Sequence, residues 1–246
     1  MQHPRVTRLF LDLDLSGDRA ELRERESNYL GSVLRLRRGD PVLVFNGRGQ
    51  ERHATIASLA RRHAELALLD HVEPLPESHL RLTLVQALPK ADAMDFVVQK
   101  VTELGVHALW PVTTDYTVVR LGPDRAERRA AHWRRIAQSA CEQCGRHRPP
   151  DIREVASLDD ALGGLPQPSV RIVLDPRADS SLEAAERTAN AVFLLVGPEG
   201  GFSSPDLERI DEHGFERMRL GPRTLRAETA AIIGAGLLQA LWGDLR

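Results

Sequence analysis

Hydrophobic and polar positions follow two different patterns along the chain. In roughly the first 70 residues, short apolar runs such as those within Val6–Leu15 and Gly39–Ala60 alternate with breaks rich in Gly and Asp. Short strands separated by such breaks are typical of a small β-barrel. Pro74 and Pro76 then indicate a linker. We therefore expect a first domain over residues 1–72.

From Leu80 onward, apolar strands alternate with segments of helical periodicity, and Gly105 supplies a helix stop. The predicted strands are Leu80–Leu88, His107–Val112, Ser169–Pro176 and Ala191–Val196. The predicted helices begin near Met94, run from about Pro123 to Cys144, cover Ser180–Ala189 as a short helix, and begin again at about Glu228. Strands separated by helices predict a parallel sheet in a doubly wound α/β domain, here residues 73–246.

Two glycine turns follow strands near the end of the chain. GPEGGF (Gly197–Phe202) follows the apolar run, and Gly221 follows a short strand predicted at Met218–Leu220. Glycines leave backbone N–H groups open to a ligand. We expect one ligand between two adjacent loops at the carboxyl edge of the sheet. The chain has neither common phosphate loop, and Glu199 repels phosphate, so a neutral or cationic reacting centre fits better.

Charge is distributed unevenly although the net formal charge is only −2. Residues 1–72 carry 12 Arg and 10 acids, a formal +2, which leaves −4 for the rest. Residues 117–150 carry 8 Arg and 3 acids, a formal +5. Such a patch is typical of an RNA footprint, and a solvated helix face explains the charge equally well. Arginine is the default cation in this chain, since Lys90 and Lys100 are its only lysines.

The two cysteines, Cys141 and Cys144, form a C-x-x-C inside a helical pattern. Zinc requires four ligands and no second pair is present, so we predict no metal and two small residues one helical turn apart. The sequence has no signal peptide and no 18-residue apolar run. We therefore expect a soluble, cytoplasmic protein.

The two glycine motifs together resemble a known signature. GPEGGF followed by LGPRTLRAETA (Leu220–Ala230) is similar to the knotted SPOUT methyltransferases, and most similar to the bacterial family that methylates N-3 of a uridine in 16S ribosomal RNA. The resemblance covers essentially the whole chain. The other matching segments, in the family's order, are Arg8–Leu11, Ser32–Gly49, Lys90–Val106 and Cys141–Arg146.

The resemblance implies a fold, a cofactor and a partner. The N-terminal barrel would be a PUA-like, OB-related RNA-binding domain, and the α/β domain would carry a trefoil knot, which folding physics alone does not predict. It implies binding of S-adenosyl-L-methionine by three loops, a 16S rRNA partner within the small ribosomal subunit, and a homodimer. The matching cofactor-binding residues are Leu174, Val196, Gly197, Glu199, Gly200, Gly201, Leu220, Gly221 and Leu225.

The dimer contact is expected partly through the C-terminal helix, which is apolar almost all round between Ala230 and Leu241. Its apolar residues include Ile232, Ile233 and Leu237. Burial of this helix within a single subunit would explain the same pattern.

Two residues of the RAET segment are the candidate catalytic pair. Uridine N-3 carries a proton at neutral pH, so catalysis requires its removal or stabilisation of the anion. Arg226 is expected to neutralise charge on a carbonyl oxygen of the base, and Glu228 to accept the proton or orient Arg226. Structural explanations stand beside these roles, namely a helix first-turn carboxylate for Glu228 and pairing with Glu228 for Arg226. Glu199 ranks second as a base.

Five basic residues are candidate RNA contacts. They are Arg8, Arg35, Lys90, Arg120 and Arg146. Lys100 and Glu103 are expected to form a local ion pair instead. The chain departs from the family at Tyr29, where histidine is common, and at Tyr116, where arginine is frequent. An aromatic ring at position 116 is able to stack on a base.

Three other functions stay open at this point. A SPOUT enzyme that acts on a ribose 2′-OH or a transfer-RNA base is disfavoured by RAET and the barrel. A non-catalytic ribosome assembly factor is disfavoured by the intact glycine and RAET motifs. A generic nucleotide-binding α/β protein is disfavoured by the missing phosphate loop.

Overall fold

The computed structural model describes residues 6–90, 93–117 and 122–245. The chain divides into two compact units. The first runs to Pro76 and includes Cys141–Arg148, and the second comprises Glu77–Ala140 and the segment from Pro149. The prediction of one domain over residues 1–72 and a second over residues 73–246 stays a prediction.

The first unit is built on one five-stranded sheet. Its elements are β1 (Thr7–Phe10), β2 (Arg19–Leu22), α1 (Glu24–Asn28), β3 (Pro41–Phe45), β4 (Glu51–Leu59) and β5 (Ala64–His71). The strand order is β1-β3-β4-β5-β2. Only β1 and β3 pair in parallel, and the other neighbours are antiparallel. Alternate strand residues such as Leu9, Val44 and Leu66 fill a core of their own.

The second unit is a parallel sheet covered by helices. Its elements are β6 (Arg81–Ala87), α2 (Ala93–Glu103), β7 (Ala108–Thr113), α3 (Pro123–Cys144), β8 (Asp151–Ile152), β9 (Ala156–Ser157), α4 (Leu158–Gly163), β10 (Val170–Leu174), β11 (Ala191–Val196), α5 (Ser204–Glu212), β12 (Glu216–Met218) and α6 (Ala227–Trp242). The strand order is β12-β10-β11-β6-β7-β8, with β9 also pairing with β7. All these pairs are parallel.

Two apolar cores cover the two faces of this sheet. Along β11, Val192, Leu194 and Val196 belong to one core, whereas Phe193 and Leu195 belong to the other. The alternation follows from the two-residue period of a strand. A sheet that is buried on both faces explains why this strand reads as a continuous apolar run.

Most predicted elements are confirmed, and α3 has the predicted bounds. The predicted short helix Ser180–Ala189 is wrong, because only Leu182–Ala184 forms a single 3₁₀ turn. The N–H of Leu182 donates to the carbonyl of Arg219 at 3.0 Å. That edge contact, together with complete burial of Leu182, holds the segment in a largely extended path. β12 spans Glu216–Met218 rather than the predicted Met218–Leu220.

Candidate functional site

Three neighbouring strands of the parallel sheet end beside one another. β10 lies between β12 and β11, so the two glycine loops are not adjacent as the sequence suggested. The loop that begins at Asp175 separates them. All three strands present their carboxyl ends at the same edge of the sheet, which is the position where parallel α/β sheets bind ligands. The structure therefore brings the three predicted loops together.

Glycine is required at several points of these loops for different reasons. A Cβ on Gly197 would lie 3.0 Å from the Phe202 ring. Gly201 and Gly221 have φ of +72° and +64°, in the left-handed region that disfavours side chains. The N–H of Gly201 donates to the carbonyl of Pro198 at 2.9 Å and closes the turn. Apart from chain neighbours, no heavy atom of the described residues lies within 4 Å of a Cβ built on Gly201 or Gly221, so the backbone has little side-chain cover at these two points.

Apolar residues at the starts of the loops after β10 and β12 pack against the same part of α6. A Cβ on Gly234 would lie 3.0 Å from a methyl of Leu194, 3.1 Å from one of Leu174 and 3.8 Å from one of Leu220. The glycine therefore allows α6 to approach the sheet closely. Leu174 and Leu220 pack into this apolar core, while Leu225 is half-buried further along the loop that follows β12.

Asp175 is a buried carboxylate at the end of β10. Its Oδ1 accepts hydrogen bonds from the backbone N–H of Arg177 at 3.0 Å and from its Nε at 3.1 Å, and Arg217 Nη1 lies 3.9 Å from Oδ2. Burial by itself raises the pKa of Asp175. The hydrogen bonds from Arg177 and the positive charges of Arg177 and Arg217 outweigh burial and leave that pKa below its ordinary value. Asp175 is thus an ionised anchor of the middle loop.

The predicted catalytic pair lies where the third loop enters α6. Arg226 is the residue before the helix, and its carbonyl accepts a hydrogen bond from the N–H of Ala230 at 2.8 Å. Its guanidinium is 85% exposed and approaches the carboxylate of Glu228 only to 4.0 Å, while the Glu228 side chain is 21% exposed. Because the Arg226 partner is solvated and the separation is 4.0 Å, the pair contributes at most about 1 kcal/mol to stability. Their roles in catalysis stay predictions.

Glu199 is engaged in a contact that sequence reasoning did not foresee. Its Oε1 accepts a hydrogen bond from the backbone N–H of Lys90 at 2.8 Å, across 109 positions of sequence. The carboxylate thereby ties the glycine loop after β11 to the segment after β6. The Lys90 residue itself is exposed at this edge of the sheet.

A buried polar network begins directly after the glycine loop, and sequence reasoning missed it. Ser203 caps α5 by accepting from the N–H of Asp206 at 3.1 Å, and its hydroxyl donates to Asp115 at 2.6 Å. The fully buried Asp206 also accepts from the N–H groups of Ser203 at 3.2 Å and Asp115 at 3.3 Å, and from Arg209 at 2.7 Å. The Ser-x-x-Asp spacing is a local sign of the cap. The participation of Asp115, 88 positions away, has no local sign.

Three of the candidate RNA contacts, Arg8, Arg35 and Arg146, belong to the first unit, and Arg120 lies outside the described residues. Arg8 donates to the buried carboxylate of Glu51 and, at 3.1 Å, to the carbonyl of Arg146, and its guanidinium lies 4.8 Å from the centre of the Phe45 ring. These contacts occupy Arg8 within the protein. Arg35 is exposed and has a φ of +56°.

The remaining predicted residues are placed as follows. Arg120 is outside the residues that the structure describes. The predicted pair of Lys100 and Glu103 is confirmed, with 2.8 Å from Nζ to Oε1. Cys141 is buried and Cys144 half-buried in the last turn of α3.

Neither a metal-binding cluster nor a membrane-spanning helix is found among the described residues. Within residues 6–90, 93–117 and 122–245, no three His, Cys, Asp or Glu side chains gather closely enough to hold a metal ion. In the same part of the chain, no helix combines the length and apolar character needed to cross a membrane.

Comparison with known proteins decides the family. The RNA methyltransferase domain family matches residues 76–239, and the RNA methyltransferase PUA domain family matches residues 22–69. The chain belongs to the RNA methyltransferase family. The predicted fold class, a parallel α/β SPOUT domain joined to a PUA-like domain, is confirmed with it. The trefoil knot stays a prediction.

Individual relatives resemble this methyltransferase over its whole length. Ribosomal RNA small subunit methyltransferase E of Buchnera aphidicola (Schizaphis graminum) is 31% identical, with 98% of each chain covered. The crystal structure of the enzyme of the same name from Neisseria gonorrhoeae, bound to S-adenosyl methionine, has a TM-score of 0.91 and 33% identity over 98% of this chain and all of that one. A putative methyltransferase from Legionella pneumophila in complex with the cofactor has a TM-score of 0.94 and 32% identity, at the same coverage.

Proposed function

We propose that this enzyme transfers a methyl group from S-adenosyl-L-methionine to N-3 of a uridine in 16S rRNA of the small ribosomal subunit. The observation that carries the proposal is the meeting of three loops at one sheet edge, two of them glycine-rich, with Arg226 and Glu228 at the end of the third. The full-length relatives named for small-subunit rRNA methylation support it.

The residues at this edge fit the proposed cofactor. The loops offer glycine backbone, and Leu174, Val196, Leu220 and Leu225 offer apolar surface suited to an adenine ring. Glu199 is the only acid among the predicted cofactor contacts, and it accepts a hydrogen bond from the backbone N–H of Lys90. Its negative charge suits a cationic ligand better than a phosphate. S-adenosyl-L-methionine, when bound, supplies an electrophilic methyl group. The protein's own task is then to position the acceptor nitrogen.

Arg226 and Glu228 are proposed to act on the uridine. The exposed Arg226 guanidinium is free to neutralise negative charge on a carbonyl oxygen of the base as N-3 loses its proton. Glu228, three-quarters or more buried, accepts that proton or orients Arg226. The separation of 4.0 Å between them leaves both groups able to turn toward a substrate.

Further proposals concern the RNA contacts, assembly and location. Lys90, Arg35, Arg120 and Arg146 are proposed to contact RNA phosphates, with Arg8 supporting the domain from within. Ile233, 50% exposed on α6, supports a homodimer that packs partly through this helix. We place the enzyme in the cytoplasm, where the ribosomal subunit is its partner, and we propose that it requires no metal.

The experiment that tests the function is methyl transfer from tritiated cofactor to 16S rRNA, small subunits and transfer RNA isolated from a deletion strain. Subunit assembly is followed in the same strain with and without the enzyme. Labelled RNA is digested to nucleosides and the modified nucleotide is mapped. The expected product is N-3-methyluridine at a single position. A 2′-O-methylated ribose, or a labelled transfer RNA, would replace the proposal with another SPOUT activity. Rescue of subunit assembly without any label would indicate a non-catalytic assembly factor.

A further inference from the structure

Tyr116 is an exposed aromatic side chain beside the glycine loop. The residue is 54% exposed, in contrast to the other tyrosine, Tyr29, which is half-buried. Exposed apolar residues are ordinary when they are isolated. Tyr116 differs because it lies beside the candidate site, and because its turn is hydrogen-bonded to residues next to that site.

The side chain of Tyr116 lies beside Gly200 of the glycine loop. A Cβ on Gly200 would lie 3.4 Å from Cβ, 3.7 Å from Cδ2 and 3.8 Å from Cγ of Tyr116, which are ordinary contact distances. Tyr116 therefore lies next to the loop that is proposed to hold the cofactor. The residue as a whole is exposed to solvent.

The turn that carries Tyr116 is held rigidly. The N–H of Thr114 donates to Oγ1 of Thr117 at 2.8 Å, and the N–H of Thr117 donates to the carbonyl of Thr114 at 3.0 Å. Between them, Asp115 is bound by the hydroxyl of Ser203 at 2.6 Å and itself donates its N–H to the buried Asp206 at 3.3 Å. These bonds fix the turn to the start of α5, immediately beyond the glycine loop. A rigidly mounted, solvent-facing ring loses little conformational freedom when a flat ligand stacks on it.

We propose that Tyr116 is a substrate-binding residue that stacks on a nucleobase of the RNA at the methylation site. The inference rests on the proposed function, because a base must leave its helix to present N-3 to this sheet edge. An unstacked base exposes its π face, and aromatic side chains are the usual partners for that face. The hydrogen-bonded turn holds Tyr116 beside the glycine loop, where the extruded base would meet the cofactor.

The test compares three substitutions at this one position. Tyr116→Ala removes the ring, Tyr116→Leu keeps apolar packing on Gly200 without an aromatic face, and Tyr116→Phe keeps the face without the hydroxyl. We expect Tyr116→Ala and Tyr116→Leu to raise the KM for RNA about fivefold to a hundredfold, the scale of one stacked base. Tyr116→Phe should recover most of that loss. The Kd for the cofactor and the melting temperature should change little in all three variants.

Substrates that lack single bases identify the partner of the ring. We expect one abasic position at or next to the methylated uridine at which wild type and Tyr116→Ala bind RNA equally, measured by fluorescence anisotropy. Equal RNA affinity of wild type and Tyr116→Ala on intact RNA would overturn the inference. So would equal loss in Tyr116→Phe and Tyr116→Ala, or a parallel loss of cofactor affinity, which would assign the ring to loop support. Failure of the wild type to methylate RNA would instead overturn the proposed function.

Discussion

Substitutions of Glu199 distinguish two roles for this residue, a general base in catalysis and a structural tether between two loops. The tether is one hydrogen bond of 2.8 Å from the Lys90 N–H to an exposed carboxylate. Such a bond contributes about 1 kcal/mol net, so Glu199→Ala should weaken cofactor binding by about fivefold. Glu199→Gln keeps an oxygen acceptor at the same reach and should stay within about twofold of wild type, since only the charge assistance is lost. Glu199→Asp keeps the charge but shortens the reach, and should resemble Glu199→Ala.

The assays are calorimetric titration with S-adenosyl-L-methionine and single-turnover methylation at saturating cofactor. If Glu199 only ties the loop to Lys90, all three variants should turn over at nearly the wild-type rate once the cofactor is bound. If Glu199 is instead the general base, the single-turnover rates of Glu199→Gln and Glu199→Ala should both fall by about a hundredfold or more. A hundredfold loss in Glu199→Gln that shrinks as the pH rises would refute the tether and restore Glu199 as a base.

Three further predictions follow from the same region. Arg226→Ala and Glu228→Gln should each lower single-turnover methylation by about a hundredfold or more with little change in melting temperature, whereas a merely structural pair would lower the melting temperature and leave turnover intact. Because the pKa of Asp175 is depressed in the folded protein, its ionised form stabilises the fold above the ordinary Asp pKa of about 4; Asp175→Asn should therefore be destabilised at pH 7 in urea unfolding, and the difference should vanish as the pH falls through the folded-state pKa. Ser203→Ala should destabilise the protein by about 0.5–2 kcal/mol through loss of the α5 cap, and an unchanged urea midpoint would show that the cap is dispensable.

Local sequence signals determined most of the elements and the position of the two glycine loops. The apolar run before Gly197 and the helical spacing through α3 and α6 act over a few residues, so they can be read without knowledge of the fold. The positive φ angles of Gly201 and Gly221 agree with the interpretation of these two segments as glycine turns, since few other residues tolerate a positive φ. The ion pair between Lys100 and Glu103 followed from helical spacing alone.

Strand order and long-range contacts depended on the tertiary structure. The placement of β10 between β11 and β12 is a matter of which edges pair, and parallel pairing leaves no mark on local spacing. Burial of Leu182 against the strand edge overrode a helical pattern there. The bonds from Ser203 to Asp115 and from Lys90 to Glu199 join residues 88 and 109 positions apart. Polar side chains of this kind resemble ordinary surface residues in the sequence, and only the packing of neighbouring loops gives each of them a partner.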